Sequence, residues 1–226
     1  MKTKIRLIAV LLILGASAYG RTIEIQVASA PSSRALNYEV VRFDLTDSTL
    51  VEGLSKLSSE PIVVLHLGIE EILREKFSEP RDRSVRFSLT LEHTTVRDII
   101  DTLCQFDSRY TWSTDGSSIN VYPQQIVGNS SYLLNRDLEQ ITLKNISRPE
   151  DALTPLTRLL PGEQLGFASM GGDSSYSEPR SAEFNDLTVR QLMNRLAEHI
   201  DVRGGWILSG SNDQRFFSFF RLGFHE

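Results

Sequence analysis

Apolar residues recur at spacings of three and four in several segments, and this spacing predicts amphipathic helices. Two of these segments have nearly the same sequence: TVRDIIDTL over Thr95–Leu103 and TVRQLMNRL over Thr188–Leu196. Each begins with a threonine that is followed three residues later by Asp or Gln, the pattern of a capping box. Thr49 and Glu52 repeat that pattern. The predicted helices run over residues 47–58, 95–106 and 188–200.

Two further segments have a helical spacing. Residues 148–160 combine four leucines with Pro149, which suits the first helical position. Pro155 lies inside this segment, so either the helix kinks there or Thr154 caps a short second helix. Residues 69–77 also predict an extra helix, with Ile69 and Phe77 at its two ends. On that helix Glu70, Glu71 and Glu75 would form a solvated face.

Alternating apolar and polar positions predict strands between these helices. Asp115-Gly116 and the Gly210–Asp213 segment each separate two such runs and predict hairpins. The predicted strands are Tyr38–Leu45, Ile62–Leu67, Val85–Leu91, Tyr110–Thr114, Ser118–Tyr122, Leu138–Ile146, Gly205–Ser209 and Arg215–Phe220.

The order of these elements occurs twice, which is a fold-level signal. Each half reads strand, helix, strand, and then strand, helix, hairpin. We therefore predict an α+β protein of two tandem small domains, each with two helices packed against short mixed sheets. The first domain covers residues 38–123 and the second covers 132–222. Residues 124–131 are a polar linker, and 223–226 form a tail.

The first 20 residues have the pattern of a secretory signal peptide. Lys2, Lys4 and Arg6 precede the apolar run Leu7–Leu14, which is shorter than the roughly 20 residues that span a bilayer. Residues 21–37 then form an N-terminal extension. Without those three cations, 21 basic residues oppose 29 acidic ones, a formal charge of −8. That charge argues against a nucleic-acid partner. We expect an exported protein of the periplasm or cell envelope that is not an integral membrane protein after signal cleavage.

The first half resembles a known family, the secretin and TonB N-terminal short domain. The resemblance implies a fold of two helices packed with two small sheets, and a protein-docking function at the periplasmic end of secretins or at the N-terminus of signalling receptors. The second half keeps the second helix and hairpin of the pattern. The motifs are Thr49–Leu57 (TLVEGLSKL), Ile62–Leu65 (IVVL), Val85–Leu91 (VRFSLTL), Thr95–Leu103, Tyr110–Trp112 (YTW) and Ile119–Pro123 (INVYP).

No motif for catalysis, metal binding or cofactor binding stands out, so we expect no enzymatic activity and no cofactor. The four histidines are scattered, and His66 is interpreted as a core or edge residue. A single cysteine, Cys104, excludes an intrachain disulfide and is interpreted as a core residue rather than a reactive thiol. An enzyme would need a pair such as Ser78 or Ser177 with His93 or His199.

Two polar pentads are candidates for contact with a partner protein: Phe77–Arg81 (FSEPR) and Tyr176–Arg180 (YSEPR). They could be equivalent docking turns or only structural turns, and turn chemistry favours the second interpretation. Arg97 and Arg190 could bond to their glutamates or be exposed. The aromatic strand Arg215–Arg221 is either buried or open to a partner. The candidate binding residues are Glu79, Arg81, Glu178, Arg180, Phe217 and Phe219.

The sequence therefore favours a non-enzymatic docking or scaffold module of the cell envelope. It would act in a secretion assembly or in outer-membrane transport and signalling. The expected partner is another envelope protein or a second copy of the chain, with strand addition to an open sheet edge as the natural mode. Two alternatives stay open: an envelope hydrolase or small-ligand binder with its site between the halves, and a self-assembling structural protein.

Overall fold

The computed structural model describes residues 35–60, 66–79, 84–167, 178–198 and 204–221. The predicted signal peptide, most of the predicted extension and the predicted loop 170–176 lie outside these ranges. The helices are α1 (Leu50–Ser59), α2 (Val96–Phe106), α3 (Leu153–Leu159) and α4 (Val189–Glu198). The strands are β1 (Glu39–Ser48), β2 (His66–Glu70), β3 (Phe87–Thr95), β4 (Tyr110–Asp115), β5 (Ser118–Pro123), β6 (Asp137–Ile146), β7 (Leu165–Phe167), β8 (Arg180–Thr188), β9 (Gly204–Gly210) and β10 (Arg215–Arg221).

Three helices begin at the predicted capping boxes. The Oγ1 atom of Thr95 accepts a hydrogen bond from the backbone N–H of Asp98 at 3.1 Å, and the Asp98 carboxylate accepts one from the Thr95 backbone N–H at 3.3 Å. Thr49 with Glu52 and Thr188 with Gln191 make the same two bonds. Each box satisfies backbone donors that have no partner within the helix.

The segment around Pro155 forms two short helices instead of one. Pro149 starts a 3-10 helix that ends at Ala152, and α3 begins at the next residue. Pro155 is therefore the third residue of α3, where a backbone N–H would have no acceptor within the helix. A short second helix was one of the two predicted outcomes, although Ala152 rather than Thr154 is its cap residue and gives no side-chain hydrogen bond.

One six-stranded sheet contains strands from both halves, in the order β4-β5-β2-β9-β10-β7. Both predicted hairpins, β4–β5 and β9–β10, are antiparallel pairs within it. β2 runs parallel to β5 on one side and to β9 on the other. β1 with β3 and β6 with β8 form two separate antiparallel ribbons. This mixture of helices with mixed sheets confirms the α+β prediction.

The two ribbons repeat a detail of backbone geometry. Asp47 in β1 and Asn145 in β6 both have positive φ, 45° and 51°, where the register of each ribbon shifts. The backbone N–H of each residue donates to a serine on the opposite strand: Ser88 for Asp47 and Ser181 for Asn145, both at 2.9 Å. The halves thus share both the order of their elements and a local bulge.

The two halves bury their cores on opposite faces of the shared sheet. Leu67 and Ile69 of β2 contact the core of the first half, which α1 and α2 cover. Trp206 and Leu208 of β9 contact the core of the second half, under α3 and α4. Because side chains alternate along a strand, Gly68 and Glu70 of β2 point to the second-half face. The proposal that each half is a separate domain stays a prediction, since the central sheet includes strands of both.

The predicted helix over residues 69–77 is wrong. Ile69 and Glu70 end strand β2, and residues 71–79 form turns with one isolated bridge between Arg74 and Ser211. The backbone N–H of Glu71 donates to the carbonyl of Leu208 at 2.9 Å, so this segment pairs with the second half. Its helical spacing reflects contacts on both sides of an irregular segment.

Residues 124–131, the predicted linker, include a 3-10 helix over Gln124–Ile126, and Ile126 is buried. Of the helices in the described ranges, none has the length and apolar character needed to cross a membrane.

Candidate functional site

Strands β2 and β9 form the joint between the two halves. Leu67 lies opposite Gly205, Gly68 opposite Trp206, and Ile69 opposite Ile207. The indole of Trp206 covers Gly68 so closely that a Cβ atom at position 68 would lie 2.5 Å from Cζ2 of the ring. Glycine at this position is what lets the buried indole cross from one half to the other.

Helix α4 adds a polar stripe that reaches across this joint. Nε of Arg190 donates to the Glu70 carboxylate at 2.6 Å, and Nδ2 of Asn194 donates to Asp115 at 3.0 Å. Glu198 accepts from the hydroxyl of Ser117 at 2.5 Å. Residues 190, 194 and 198 lie on one face of α4 because they are four apart. All three bind the first half, at the end of β2 and at the β4–β5 turn.

Glu70 is the most deeply buried charged group of the joint, with none of its surface exposed. Burial raises its pKa above the ordinary value, while the hydrogen bond and the charge of Arg190 lower it. The Tyr132 hydroxyl is a buried neighbour, but neither it nor the second carboxylate oxygen of Glu70 makes a hydrogen bond of standard geometry. Burial and the nearby Glu70 charge raise the pKa of Tyr132.

Arg190 is held on three sides. Besides Glu70, its Nη1 atom donates to the side chain of Asn135 at 2.7 Å. Its guanidinium lies 4.8 Å from the centre of the Tyr122 ring. The predicted alternatives for Arg190, a bond to Glu178 or an exposed position, are therefore both wrong. Glu70, which was expected on a solvated helix face, is its partner.

Helix α2 and strand β4 repeat the construction of α4 and β9. Asp101 of α2 accepts a hydrogen bond from the Nε1 atom of Trp112 at 2.7 Å, and Asn194 of α4 accepts one from Nε1 of Trp206 at 2.8 Å. Trp112 and Trp206 are each the third residue of their strand. The same indole is therefore fixed by the same helix position in both halves.

The difference between the two constructions is that β4 lies at an edge of the sheet. No strand of the described ranges pairs with its outer side. The residues of α2 that correspond to the joint stripe are Arg97, Asp101 and Gln105, and Arg97 and Gln105 are exposed. The Arg97 guanidinium lies 5.4 Å from the centre of the Trp112 ring. We call β4 together with Arg97, Asp101 and Gln105 the β4 surface.

The opposite edge of the sheet is β7, which corresponds to β2. The three residues of β7, Leu165–Phe167 (LGF), match Leu67–Ile69 (LGI). β7 runs parallel to β10 as β2 runs parallel to β5. The described residues place no strand on its outer side. This Leu-Gly repeat is the signal in the sequence that could have located both the joint and the second edge.

The two pentads do not form equivalent turns. The first pentad ends six residues before β3, whereas Arg180 of the second pentad is itself the first residue of β8. Phe77 packs against Phe216 with ring centres 5.8 Å apart, and its backbone N–H donates to Asp213. The aromatic residue of the first pentad therefore belongs to the contact between the halves.

The predicted binding residues fall in separate places. Glu79 and Glu178 are exposed, Arg180 is half-buried at the start of β8, and Arg81 lies outside the described residues. Phe217 and Phe219 are buried in the second core, because β10 lies between β9 and β7 with that core over one face. A partner contact through those two side chains is corrected to a core role.

The reactive groups of the chain are not assembled into a cluster. Burial raises the pKa of the Cys104 thiol to about 12, with smaller effects from Asp101 and Asp107. His66 is buried, and His93 lies 3.2 Å from the exposed Glu39. The described ranges, which omit His199 and Ser177, hold no group of three or more side chains suited to a metal ion.

A cleft of about 370 Å³ lies where α1, the segment after β2 and Gly210 meet. Its charged groups are engaged with one another or with the backbone. Arg86 pairs with Asp47, and Arg109 pairs with the buried Asp107. Arg74 donates to the carbonyls of Phe77 and Glu79.

The resemblance to the secretin and TonB N-terminal short domain stays a prediction. Comparison of the chain with family models, with curated proteins and with solved structures finds no match.

Proposed function

We propose that this chain is an exported, non-catalytic docking module of the cell envelope, and that it binds its partner by strand addition at the β4 surface. The observation that carries the proposal is the repeat of one construction within the chain. The α4 and β9 version already binds a parallel strand, β2. The α2 and β4 version has the same indole and the same helix-to-indole hydrogen bond, with an open edge.

An open edge of this length favours a strand partner. β4 has six residues, and the outer side of its backbone offers N–H and C=O groups that a partner strand can pair with. Main-chain hydrogen bonds of this kind supply affinity, and the flanking side chains supply selectivity.

The α2 stripe would supply that selectivity. In the joint, Arg190, Asn194 and Glu198 bind a carboxylate, a carboxylate and two hydroxyls. Arg97 has the place of Arg190 and is exposed beside Trp112. A partner with an acidic side chain at the end of its strand would give Arg97 the kind of bond that Glu70 gives Arg190.

Export to the envelope is supported by the sequence of residues 1–20, with its basic start and short apolar run. An envelope module that binds extended segments would need a rigid frame for the receiving edge. The continuous core under β4 and the buried joint with the second half provide that frame.

Site-specific photo-crosslinking tests the proposal. A benzoylphenylalanine at Ser113, in the middle of β4, is compared with one at Lys144, an exposed position of β6. We expect the Ser113 chain, and not the Lys144 chain, to capture one discrete protein in its own envelope fraction. The captured protein is identified by mass spectrometry and bound again from purified components.

The charge-reversal variant Arg97→Glu is expected to weaken the reconstituted binding several-fold. Arg158→Glu, on the exposed side of α3, is the matched control and should leave binding unchanged. Equal capture from positions 113 and 144, or binding that Arg97→Glu leaves intact, would contradict docking at the β4 surface.

A further inference from the structure

We infer that the β4 surface of one chain receives the β7 edge of a second copy, so that copies join head to tail in one continuous sheet. This inference rests on the proposed docking role of β4 and names its occupant. The template is the joint inside the chain, where a β2-type edge already meets a β4-type strand.

The strand directions fit this arrangement. β5 and β2 run parallel to β9, whereas β4 runs antiparallel to β5. β10 runs antiparallel to β9, and β7 runs parallel to β10. It follows that β4 and β7 run in the same direction at opposite edges of the sheet. A second copy displaced sideways along the sheet would thus lay its β4 parallel to β7, as β9 lies parallel to β2.

The side chains at the two edges also match the joint. Gly68 lies opposite Trp206 inside the chain. Gly166 corresponds to Gly68, and Trp112 corresponds to Trp206. The register of the joint therefore places Gly166 of one copy opposite Trp112 of the next, and Leu165 opposite Thr111.

The face that would receive α2 of the second copy is apolar. In the joint, α4 lies on the face of β2 that is opposite the first core. The corresponding face of β7 and β10 carries Phe216, and Phe77 packs on it with 48% of its surface exposed. Docking of α2 over this face would cover an exposed aromatic side chain.

Two substitutions make the external joint weaker than the internal one. Phe216 replaces Asn120 beside the glycine, and a Cβ at position 166 would lie 2.8 Å from the Phe216 ring. Trp112 of the second copy would therefore pack on that ring. By sequence, Ala168 has the place of Glu70, so Arg97 finds no carboxylate there. We expect reversible association that depends on concentration.

Such a contact is heterologous, because each copy uses two different edges. A contact of this kind builds open chains or rings rather than closed two-fold dimers. The expected products are therefore dimers at low concentration and longer species as the concentration rises.

Disulfide trapping tests the register directly. One chain has Thr111→Cys, the other has Leu165→Cys, and both have Cys104→Ser to remove the native thiol. Paired residues of neighbouring strands lie about 5 Å apart, which suits a disulfide. We expect a mixed dimer to form only when the two chains are combined. Replacing Thr111→Cys with Thr114→Cys moves the thiol by about 10 Å along the strand and should abolish it.

Sedimentation velocity of the otherwise unchanged mature chain gives a second readout that does not depend on the cysteine variants folding. The weight-average mass should rise with concentration. Arg97→Glu should lower that rise, since α2 then meets the second copy with reversed charge, and Arg158→Glu should leave it as it is. A mass that stays monomeric at all concentrations, or trapping that is equal for positions 111 and 114, overturns the inference.

The two proposals fail separately. If the chain stays monomeric but the protein captured from Ser113 is a different one and binds again in purified form, docking at the β4 surface stands and self-association is wrong. If Ser113 captures nothing and the chain stays monomeric, both are wrong.

Discussion

The carboxylate of Glu70 and the guanidinium of Arg190 form a salt bridge at 2.6 Å across the boundary between the halves. Glu70 is fully buried in β2, and the Arg190 side chain is 16% exposed at the start of α4. The pair joins residues 120 positions apart in the chain and lies under the aromatic ring of Tyr122.

Removing one partner of this pair should be costly. Arg190→Met leaves the Glu70 carboxylate buried without its cation, so we expect a loss of about 3–5 kcal/mol in the free energy of unfolding. The double variant Glu70→Leu with Arg190→Met should lose much less than the sum of the single variants. Urea denaturation measures all three. Arg42→Met breaks the exposed pair with Asp44 and should cost at most about 1 kcal/mol. A strictly additive double variant would contradict the account.

The pKa of Glu70 predicts a sign for the pH dependence of stability. Burial raises this pKa above 4.5, so the folded state holds the proton more tightly than the unfolded chain. Glu70 therefore favours folding below its ordinary pKa, and this contribution is lost as the pH rises from there through the raised folded value. Subtracting the unfolding free energies of Glu70→Gln from those of the original chain, over about pH 4 to 8, isolates it. A difference that grows with pH would show a lowered pKa instead.

Gly68 should not accept a larger residue. The Cβ of Gly68→Ala would meet the Trp206 ring at 2.5 Å and Oδ1 of Asn120 at 2.4 Å. We expect a loss of about 1–3 kcal/mol from overpacking at the joint. In a Trp206→Leu background the cost of Gly68→Ala should fall, because the clashing ring atoms are gone. An equal cost in both backgrounds would mean that the indole does not limit position 68.

The repeated hydrogen bonds from helix to indole should differ in strength. Asn194→Ala leaves the N–H of the fully buried Trp206 unpaired, and we expect a loss of about 1–3 kcal/mol. Asp101→Ala should cost less, because Trp112 is only half-buried at the sheet edge and water can replace the acceptor. Thermal unfolding of the two variants compares them side by side. A larger effect for Asp101→Ala would show that the β4 edge is more enclosed than its position implies.

The Cys104 thiol should be unreactive in the folded chain. Its pKa is raised from 9.0 to about 12, so little thiolate exists near neutral pH. Alkylation by iodoacetamide at about pH 8 should be at least about 100-fold slower than in the urea-unfolded chain. Similar rates in both states would place the thiol at the surface and restore a reactive role for it.

Local patterns of the sequence predicted the local parts of the fold. The three capping boxes, both hairpins and the alternating strands depend on neighbours within a few residues, and each lies close to where the pattern placed it. The repeat in the chain also predicted that β4 and β9 would share a construction, because Trp112 and Trp206 follow the same helix motif.

The joint between the halves could not be predicted in this way. It depends on the parallel pairing of β2 with β9, whose strands are more than 130 residues apart. A charged residue such as Glu70 is expected at the surface, since lone charges are rarely buried. Only the distant Arg190 makes its burial possible. The same reasoning led residues 69–77 to be assigned to an exposed helix.

The pentads show how a sequence repeat can mislead. They look equivalent because the letters match, but the first precedes β3 by six residues and the second runs directly into β8. The Leu-Gly pair of β2 and β7 is shorter and less conspicuous. It marks positions that are equivalent in the fold, because both glycines lie in the strand that pairs with the second strand of a hairpin.

Amide hydrogen exchange of β4 tests the central claim most directly. Exchange at residues 110–115 is followed in the mature chain alone at low concentration, and then with the purified protein that the Ser113 crosslink identifies, whether a second copy or another protein. We predict that alternate amides of β4, those on its outer side, become protected in the complex, while the amides of the β6–β8 ribbon do not change. Unchanged exchange in β4 together with new protection elsewhere would contradict strand addition at this edge.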